Sequence, residues 1–149
     1  MPRELRDVLA DCFLKSMNTA HRAVLQASGG RLLTRVAGMT AVELETTGRK
    51  SGLARRTLLT APVVDGDKVV LVASKGGDHR NPDWYANLVA DPDVVLGIGG
   101  ERRPMRARSA TAEEKAELWP RIVAAYRGYG AYQRRTERDI PVVICEPRP

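Results

Sequence analysis

Two short glycine turns limit what this chain can fold into, because each joins two segments with the composition of a β-strand. Turns of this length between such segments are typical of β-hairpins. The predicted hairpins comprise residues 55–64 with 68–74 around Asp65-Gly66-Asp67, and residues 94–98 with 102–109 around Gly99-Gly100. A further alternation of apolar and polar residues begins at Val42, and Pro62 indicates a sheet edge or a bulge.

Helical patterns flank these hairpins instead of alternating with single strands. They comprise an amphipathic N-terminal segment over residues 1–41, a short helix beginning at Pro82, a helix from Thr111 toward Tyr126, and a last helix over 129–135 before a strand at 140–145. Thr111 and Glu114 form a capping-box pattern, and Pro120 is expected to kink or split that helix. The pattern is typical of an α+β fold, so residues 1–149 are predicted to form one domain on a small, partly open barrel of about six mostly antiparallel strands.

An excess of basic residues narrows the classes of partner. The 149 residues include 24 Lys plus Arg against 18 Asp plus Glu, a formal charge of +6. This charge favours phosphate-bearing cofactors, nucleic acid or acidic lipid. Four arginines within residues 102–108 alternate with few aromatic side chains, which favours a solvated sheet edge over a nucleic-acid face.

The N-terminal segment carries its own charge signal. Residues 12–42 contain no carboxylate and four basic side chains, Lys15, Arg22, Arg31 and Arg35. The helix predicted here is interpreted as core packing, as a lid or as a contact with an acidic membrane surface.

Metal-ligand spacing is missing from the sequence. Cys12 and Cys145 lie far apart, His21 and His79 are isolated, and Asp78 with His79 is interpreted as part of an exposed loop. No apolar run approaches the roughly 20 residues that span a bilayer, and no signal peptide is recognisable. We expect no metal site and a cytoplasmic location, with the inner face of the cell membrane as the alternative if the N-terminal helix contacts lipid.

The first candidate site is a basic loop with two glycines, Thr46-Thr-Gly-Arg-Lys-Ser-Gly52, followed by Arg55. Glycines permit a tight backbone turn, and Arg49, Lys50 and Arg55 supply positive charge for a phosphate or carboxylate. The segment is not a Walker A loop, because Arg49 stands where that motif has glycine. A solvated basic turn between two strands is an equally good interpretation of this segment alone.

The second candidate site is Ala73-Ser-Lys-Gly-Gly77, which follows a predicted strand and precedes the helix that carries Trp84. Its paired glycines permit close approach of the backbone to a flat ring, and the Ser74 hydroxyl is a hydrogen-bond donor. Trp84 lines a ring-binding pocket or packs in the core. Together the two segments favour an elongated ligand with a phosphate end and an aromatic end.

Three tyrosines at steps of three residues, Tyr126, Tyr129 and Tyr132, form the third candidate site. This spacing places them near one helical face, and Gly128 and Gly130 argue against a stable uninterrupted helix there. A tyrosine hydroxyl can donate a proton or a hydrogen bond to an oxyanion that forms on a reduced substrate. Amphipathic packing is the alternative for each of them.

In their order and spacing these motifs resemble the deazaflavin-dependent nitroreductases, which include the F420H2-dependent quinone reductases. The resemblance rests on the two glycine segments, Asn81-Pro-x-Trp-Tyr-x-Asn-Leu88, Asp91-Pro92, Trp119-Pro120, the tyrosines and Ile140-Pro-Val-Val-Ile-Cys-Glu-Pro147. It covers residues 42–147 and implies a split β-barrel that holds reduced coenzyme F420 as hydride donor to a quinone, enone or nitroaromatic. One departure is Leu58-Leu59, where the family usually has Pro-Leu.

The resemblance also implies residue roles. The phosphate and acidic tail of the cofactor are assigned to Arg49, Lys50, Ser51, Gly52 and Arg55. The remaining cofactor contacts are assigned to Leu58, Ala73, Ser74, Lys75, Gly76, Asp83, Trp84, Tyr85 and Asn87. Tyr129 takes the position of the active-site tyrosine, supported by Tyr126, Tyr132 and Ser74.

Three other interpretations of the sequence are kept. The barrel binds FMN as related split-barrel oxidases do, or the protein is a non-catalytic deazaflavin carrier, or it is a basic module on acidic lipid. Nothing in the sequence indicates the oligomeric state or the physiological acceptor.

Overall fold

The computed structural model describes residues 3–5, 7–8, 35–36 and 38–149. In these ranges eight antiparallel strands form one sheet in the order β1-β2-β6-β7-β8-β5-β4, with β3 on the other side of β2. The strands are β1 (Arg35–Val36), β2 (Met39–Thr47), β3 (Ala54–Ala61), β4 (Val63–Asp65), β5 (Lys68–Val72), β6 (Asp93–Ile98), β7 (Glu101–Ser109) and β8 (Val142–Pro147). The helices are a 3-10 turn at Lys75–Gly77, α1 (Asp83–Ala90), α2 (Ala112–Ala125) and α3 (Gly128–Arg135).

The second predicted hairpin is confirmed, whereas the first is corrected at Pro62. β6 and β7 pair around Gly99-Gly100 as expected. The segment predicted as one strand over 55–64 is divided into β3 and β4, because Pro62 has no N–H to continue a ladder. Of these two strands, β4 pairs with β5, while β3 pairs with β2 from Thr40↔Ala61 to Thr47↔Ala54. This division and the short β1 account for eight strands in place of about six.

The sheet curls on itself, so that β3 at one end contacts β5 near the other. The inward side chains of six strands and one leucine of α1 fill the barrel. They are Val42, Leu44, Ala61, Val69, Leu71, Leu88, Val94, Leu96, Met105, Ala107, Val143 and Cys145. Burial raises the pKa of the Cys145 thiol to about 12, so this thiol stays protonated inside the barrel.

Helices α2 and α3 cover the outer face of β5 and β8. Val70 and Val72 of β5 and Ile144 of β8 pack under Leu118 and Ile122 of α2. These two strands are therefore buried on both faces, which explains why they are continuous apolar segments without alternation.

The capping box at the start of α2 is confirmed, and the prediction that Pro120 splits this helix is wrong. The Thr111 side chain accepts a hydrogen bond from the backbone N–H of Glu114, and the Glu114 carboxylate accepts one from the backbone N–H of Thr111. The helix continues through Pro120 to Ala125. Leu118 and Ile122 are buried on either side of the proline, so tertiary packing holds the turn whose hydrogen bond is missing.

The N-terminal prediction falls largely outside the described residues. Residues 3–5 and 7–8 are helical, and the rest of the helix predicted before residue 35, with Lys15, Arg22 and Arg31, is not described. The predicted helical segment does not extend to residue 41, because β1 and the start of β2 occupy its last part. Among the described ranges, no helix has the length and apolar content needed to cross a bilayer.

The arginines of β7 lie on an inner strand and not at the predicted sheet edge, since β7 pairs with both β6 and β8. Each donates to a carboxylate. The pairs are Arg102 with Glu45, Arg103 with Glu101, Arg106 with Asp93, and Arg108 with Glu114 and Glu146. Their positive charge is thus balanced at the surface of the sheet.

The Glu114 carboxylate predicts a measurable pH dependence of stability. Hydrogen bonds from Arg108 and from the Thr111 backbone lower the pKa of Glu114 from 4.5 to about 2. Its contribution is complete above pH 4.5 and is lost as the pH falls toward 2, because protonation then costs the folded state more than the unfolded state. The difference in urea midpoint between wild type and Glu114→Gln should therefore shrink on acidification from pH 6 to pH 3.

Glu113→Gln is the matched control, because Glu113 lies in the same first turn but is not the residue that closes the capping box. Its midpoint difference from wild type should vary less with pH. A gap for Glu114→Gln that stays constant between the two pH values would contradict the assignment.

Candidate active site

The loop between β2 and β3, residues 48–53, is called the basic loop below. It closes a hairpin in which Gly48 N–H donates to Leu53 O at 2.8 Å and Gly52 N–H donates to Gly48 O at 2.8 Å. Gly52 has φ +72°, and a Cβ on Gly48 would lie 2.7 Å from Ser51 Oγ. The two glycines thus serve the turn itself, while Ser51 Oγ accepts from Leu53 N–H at 3.2 Å and from Arg55 Nη2 at 3.4 Å.

Arg49 and Asn87, both predicted to contact a cofactor, contact each other. Asn87 Oδ1 accepts from the Arg49 backbone N–H at 3.1 Å and from Arg49 Nη1 at 2.8 Å, while Asn87 Nδ2 donates to Thr46 Oγ1 at 3.3 Å. Asn87 is 5% exposed, and Arg49 also reaches the exposed Asp83, 3.5 Å away. These bonds fasten the basic loop to α1.

Lys50 and Arg55 differ from the other cations around them. Arg56 donates to Glu45 at 2.8 Å, and Glu45 also accepts from Arg102 at 2.9 Å. Hydrogen bonds from Arg102 and Arg56 lower the pKa of Glu45 against the opposing effect of burial. Within the described ranges neither Lys50 nor Arg55 is ion-paired, and both are exposed. Positive charge that no carboxylate of the described chain balances therefore lies at the basic loop and the start of β3.

Residues 73–81, which connect β5 to α1, are called the serine turn below. Ala73 is fully buried and Ser74 is 9% exposed, whereas Gly76 is exposed. Lys75 has φ +45°, and Gly76 and Gly77 have φ +63° and +83°. A Cβ on Gly77 would lie 2.9 Å from Tyr132 O, so this glycine allows the turn to approach the backbone of α3. The close approach predicted from the paired glycines is thus made by Gly77 to the protein itself, and Gly76 faces open space.

The aromatic residues of α1 pack on the barrel. Trp84 and Tyr85 contact the inner cluster and meet edge to face, with ring centroids 6.5 Å apart. The Tyr85 hydroxyl is 2.8 Å from Ser109 Oγ. Core packing, one of the two interpretations of Trp84, describes its contacts in this structure. Leu58, the remaining predicted contact, is half-buried in β3 opposite Glu43.

The three tyrosines form a cluster on α3 and the residues before it. Tyr126 and Tyr129 meet edge to face at 5.4 Å, and Tyr132 lies 6.1 Å from Tyr129. Gly128 is required for this arrangement, since a Cβ there would overlap the Tyr126 ring. A hydrogen bond with Tyr126 raises the pKa of Tyr132 to about 12.

Tyr129 is 5% exposed, and its hydroxyl lies 3.1 Å from Thr60 Oγ1 in β3. Burial raises the pKa of Tyr129 in spite of the bond from Thr60, so the hydroxyl keeps its proton throughout the physiological pH range. Tyr126 is 37% exposed. The cluster therefore contains one buried tyrosine with an oriented hydroxyl and one tyrosine that is partly exposed.

Two residues of this region were not predicted from the sequence. Thr60 lies in the segment where the family pattern is broken, and nothing local indicates a long-range bond across 69 positions. Arg138 lies in a polar stretch after α3, and its guanidinium donates to four oxygens of the serine turn. Both act through contacts between segments distant in sequence.

The sequence predicts an exposed loop at Asp78 and His79, but the Asp78 side chain is largely buried. The Asp78 side chain is 10% exposed and binds Arg80, whose hydrogen bonds lower the pKa of Asp78 to about 2 although burial opposes this. His79 lies 3.3 Å from both Asp78 and Asp7. These three residues have the ligand types of a cation site, but Arg80 Nη2 already lies 3.6 Å from Asp7 and 3.1 Å from Asp78.

A continuous series of contacts joins the three predicted segments. The basic loop binds α1 through Asn87, the serine turn leads into α1 and packs on α3 through Gly77, and Tyr129 of α3 reaches Thr60 of β3. Strand β3 begins directly after the basic loop. The series surrounds the side of the barrel where, among the strands of the described residues, β3 has only β2 as a sheet neighbour.

Comparison with known proteins identifies the family. The family model for F420H(2)-dependent quinone reductase matches residues 17–147. An F420H(2)-dependent quinone reductase of Mycobacterium tuberculosis strain H37Rv is 41% identical over 133 residues, 86% of this chain and 88% of the relative.

Two solved structures are similar over most of their length. A structure of an F420-H2 dependent reductase has a TM-score of 0.65 and 42% identity, covering 71% of this chain and 93% of the other. A second, described as a domain-swapped dimer, has a TM-score of 0.68 and 38% identity over 86% of this chain and 94% of the other. The split-barrel prediction is confirmed, and the chain belongs to the family of F420H(2)-dependent quinone reductases.

Proposed function

We propose that the side of the barrel surrounded by the basic loop, the serine turn and α3 holds reduced coenzyme F420 and the quinone. The chain is an F420H2-dependent reductase that transfers hydride to a quinone, as its family membership shows. The residue roles that follow are our proposal. Enones and nitroaromatics are electrophilic acceptors as quinones are, and we propose them as further acceptors.

The charge balance around the basic loop carries this proposal. Arg56 and the four arginines of β7 are ion-paired with carboxylates, whereas Lys50 and Arg55 have no such partner in the described ranges. Two cations without carboxylate partners beside the Ser51 hydroxyl suit a phosphate and a polycarboxylate tail. The donor set of the basic loop therefore fits the anionic part of this cofactor.

Arg49 and Asn87 take a positioning role in this proposal. Because Asn87 Oδ1 accepts two hydrogen bonds from Arg49, the loop that carries Lys50 cannot move independently of α1. The same contact keeps the Arg49 guanidinium partly engaged, so we assign direct contact with the acidic tail to Lys50 and Arg55 and only the remaining exposed edge of Arg49.

When bound, the cofactor supplies a hydride from its reduced deazaflavin ring. The chain contributes orientation of the two reactants and a hydrogen-bond donor for the negative charge that develops on the acceptor oxygen. We assign that donor to the Tyr129 hydroxyl, whose pKa burial raises and which lies 3.1 Å from Thr60 Oγ1. Tyr126 and Ser74 supply supporting hydroxyls at the exposed and buried sides of the site.

We also propose that the N-terminal segment contacts acidic lipid, a proposal supported by the lack of carboxylates in residues 12–42. Co-sedimentation with vesicles that contain anionic lipid should fall when residues 1–30 are removed. Unchanged co-sedimentation after the truncation would contradict it.

Replacing the unpaired cations should weaken cofactor binding specifically. In Lys50→Ala and Arg55→Ala the dissociation constant for oxidised F420, read by its fluorescence, should rise about tenfold each, as loss of one charge-assisted hydrogen bond implies. The rise should be largest at low salt, because screening reduces the interaction of exposed charges.

Arg56→Gln is the control for these variants, because it removes a cation from the same strand that Glu45 already balances. It should leave the dissociation constant near that of wild type. An equal effect of all three substitutions would indicate a general charge effect and contradict a specific tail site.

Removing the Tyr129 hydroxyl should separate turnover from cofactor binding. Tyr129→Phe should lower kcat with menadione by roughly tenfold to a hundredfold, since the donor acts on charge that is present only in the transition state. F420 affinity should remain close to that of wild type. Tyr126→Phe is the comparison and should have a smaller effect on kcat. A Tyr129→Phe variant with wild-type turnover would contradict the assigned role.

A further inference from the structure

The serine turn is held by a guanidinium that the proposed function has not used. Arg138 Nε donates to Asp78 O at 2.9 Å, Nη1 to Ala73 O at 3.1 Å, and Nη2 to Ser74 O at 2.7 Å. Nη1 also donates to Asn81 Oδ1 at 2.9 Å. One side chain thus gathers three carbonyls and one amide oxygen from a turn located about 60 residues earlier in the chain.

This contact differs from the surface ion pairs of the β7 arginines. In the described ranges Arg138 makes no ion pair within 4.0 Å, since Asp78 directs its carboxylate to Arg80. Burial lowers the pKa of Arg138, against the opposing charge of Asp78. A half-buried cation without a paired carboxylate depends on oriented neutral acceptors, so the guanidinium and the turn determine each other's geometry.

The orientation of these carbonyls also fixes the direction of the N–H groups in the same peptide units. All peptide bonds of the described chain are trans, so each N–H points away from the C=O of its own peptide unit. Because the carbonyls of Ala73 and Ser74 face Arg138, the N–H groups of Ser74 and Lys75 face the other way. Ser74 is right-handed helical and Lys75 has φ +45°, so the backbone changes hand between these two residues.

We propose that Arg138 is a positioning residue for cofactor binding, because its fork holds the peptide units of the serine turn in the orientation that meets the deazaflavin ring. This inference rests on the proposed function, in which the serine turn borders the cofactor site. Arg138 itself does not touch the cofactor. Its effect is transmitted by the peptide units whose carbonyls it holds.

Arg138→Lys and Arg138→Ala test this role in the full-length protein. A lysine keeps the charge but lacks the planar fork that reaches several acceptors at once. The dissociation constant for oxidised F420, measured by fluorescence, should rise about tenfold in Arg138→Lys and further in Arg138→Ala, as loss of charge-assisted hydrogen bonds implies. Melting temperatures should stay well above the assay temperature in Arg138→Lys, so that the loss of affinity is measured on folded protein.

Chemical rescue separates positioning from a general loss of structure. Millimolar guanidinium ion should restore much of the F420 affinity of Arg138→Ala, whereas tetramethylammonium at the same concentration should not, because it has no N–H donors. Arg121→Gln is the matched control, since Arg121 makes two hydrogen bonds of 2.9 and 2.8 Å to Asp65, outside the serine turn. Its F420 affinity should equal that of wild type.

Two results would overturn the role of Arg138. One is wild-type F420 affinity in Arg138→Lys, and the other is an affinity loss in Arg138→Ala that tetramethylammonium reverses as well as guanidinium does. Failure of the proposed site is a different result, because wild-type protein would then bind F420 without any dependence on Lys50 and Arg55.

Discussion

The burial of β5 and β8 on both faces is the constraint on which the rest of the structure depends. Each strand directs one set of side chains into the barrel and the alternate set under α2 and α3. Neither layer can form without the other, because removing the helices would expose Val70, Val72 and Ile144. The same packing brings α3 against the outer layer, so Tyr129 reaches Thr60 only when the barrel has closed around β3 and β5.

Local sequence signals predicted the elements of this fold better than their partners. Gly99-Gly100 and the capping box at Thr111 act over a few residues, and both were recognised correctly. Pro62 was recognised as an irregularity, but the strand before it was predicted to pair with β5 and not with β2. A turn between two strands was one of the two interpretations of the basic loop, and the pairing of β3 with β2 agrees with it. Pro120 was given its usual helix-breaking effect, which the packing of Leu118 and Ile122 overrides.

For the site, the sequence predicted more reliably which segments come together than which contacts each side chain makes. Arg49 and Asn87 were both predicted to contact a cofactor, and in the structure they bind each other. Gly77 was recognised as a point of close approach, and the surface it approaches is the backbone of α3. Such partners are separated by dozens of positions, and no periodicity or turn chemistry encodes them. The contacts of Arg138 are not predicted from the sequence for the same reason.

The division of the arginines into two groups connects the fold with the chemistry. Arg56, Arg102 and Arg108 are fixed by carboxylates on neighbouring elements, so they add little to the field that an approaching anion meets. Lys50 and Arg55 have no carboxylate partner among the described residues. Asn87 holds the basic loop against α1, and Arg138 binds the carbonyls of the serine turn. Electrostatic attraction and backbone geometry are thus supplied by different residues. Because carboxylates pair with Arg56, Arg102 and Arg108, the composition alone does not show where the unbalanced positive charge lies, and among the described residues the fold leaves part of it at the basic loop.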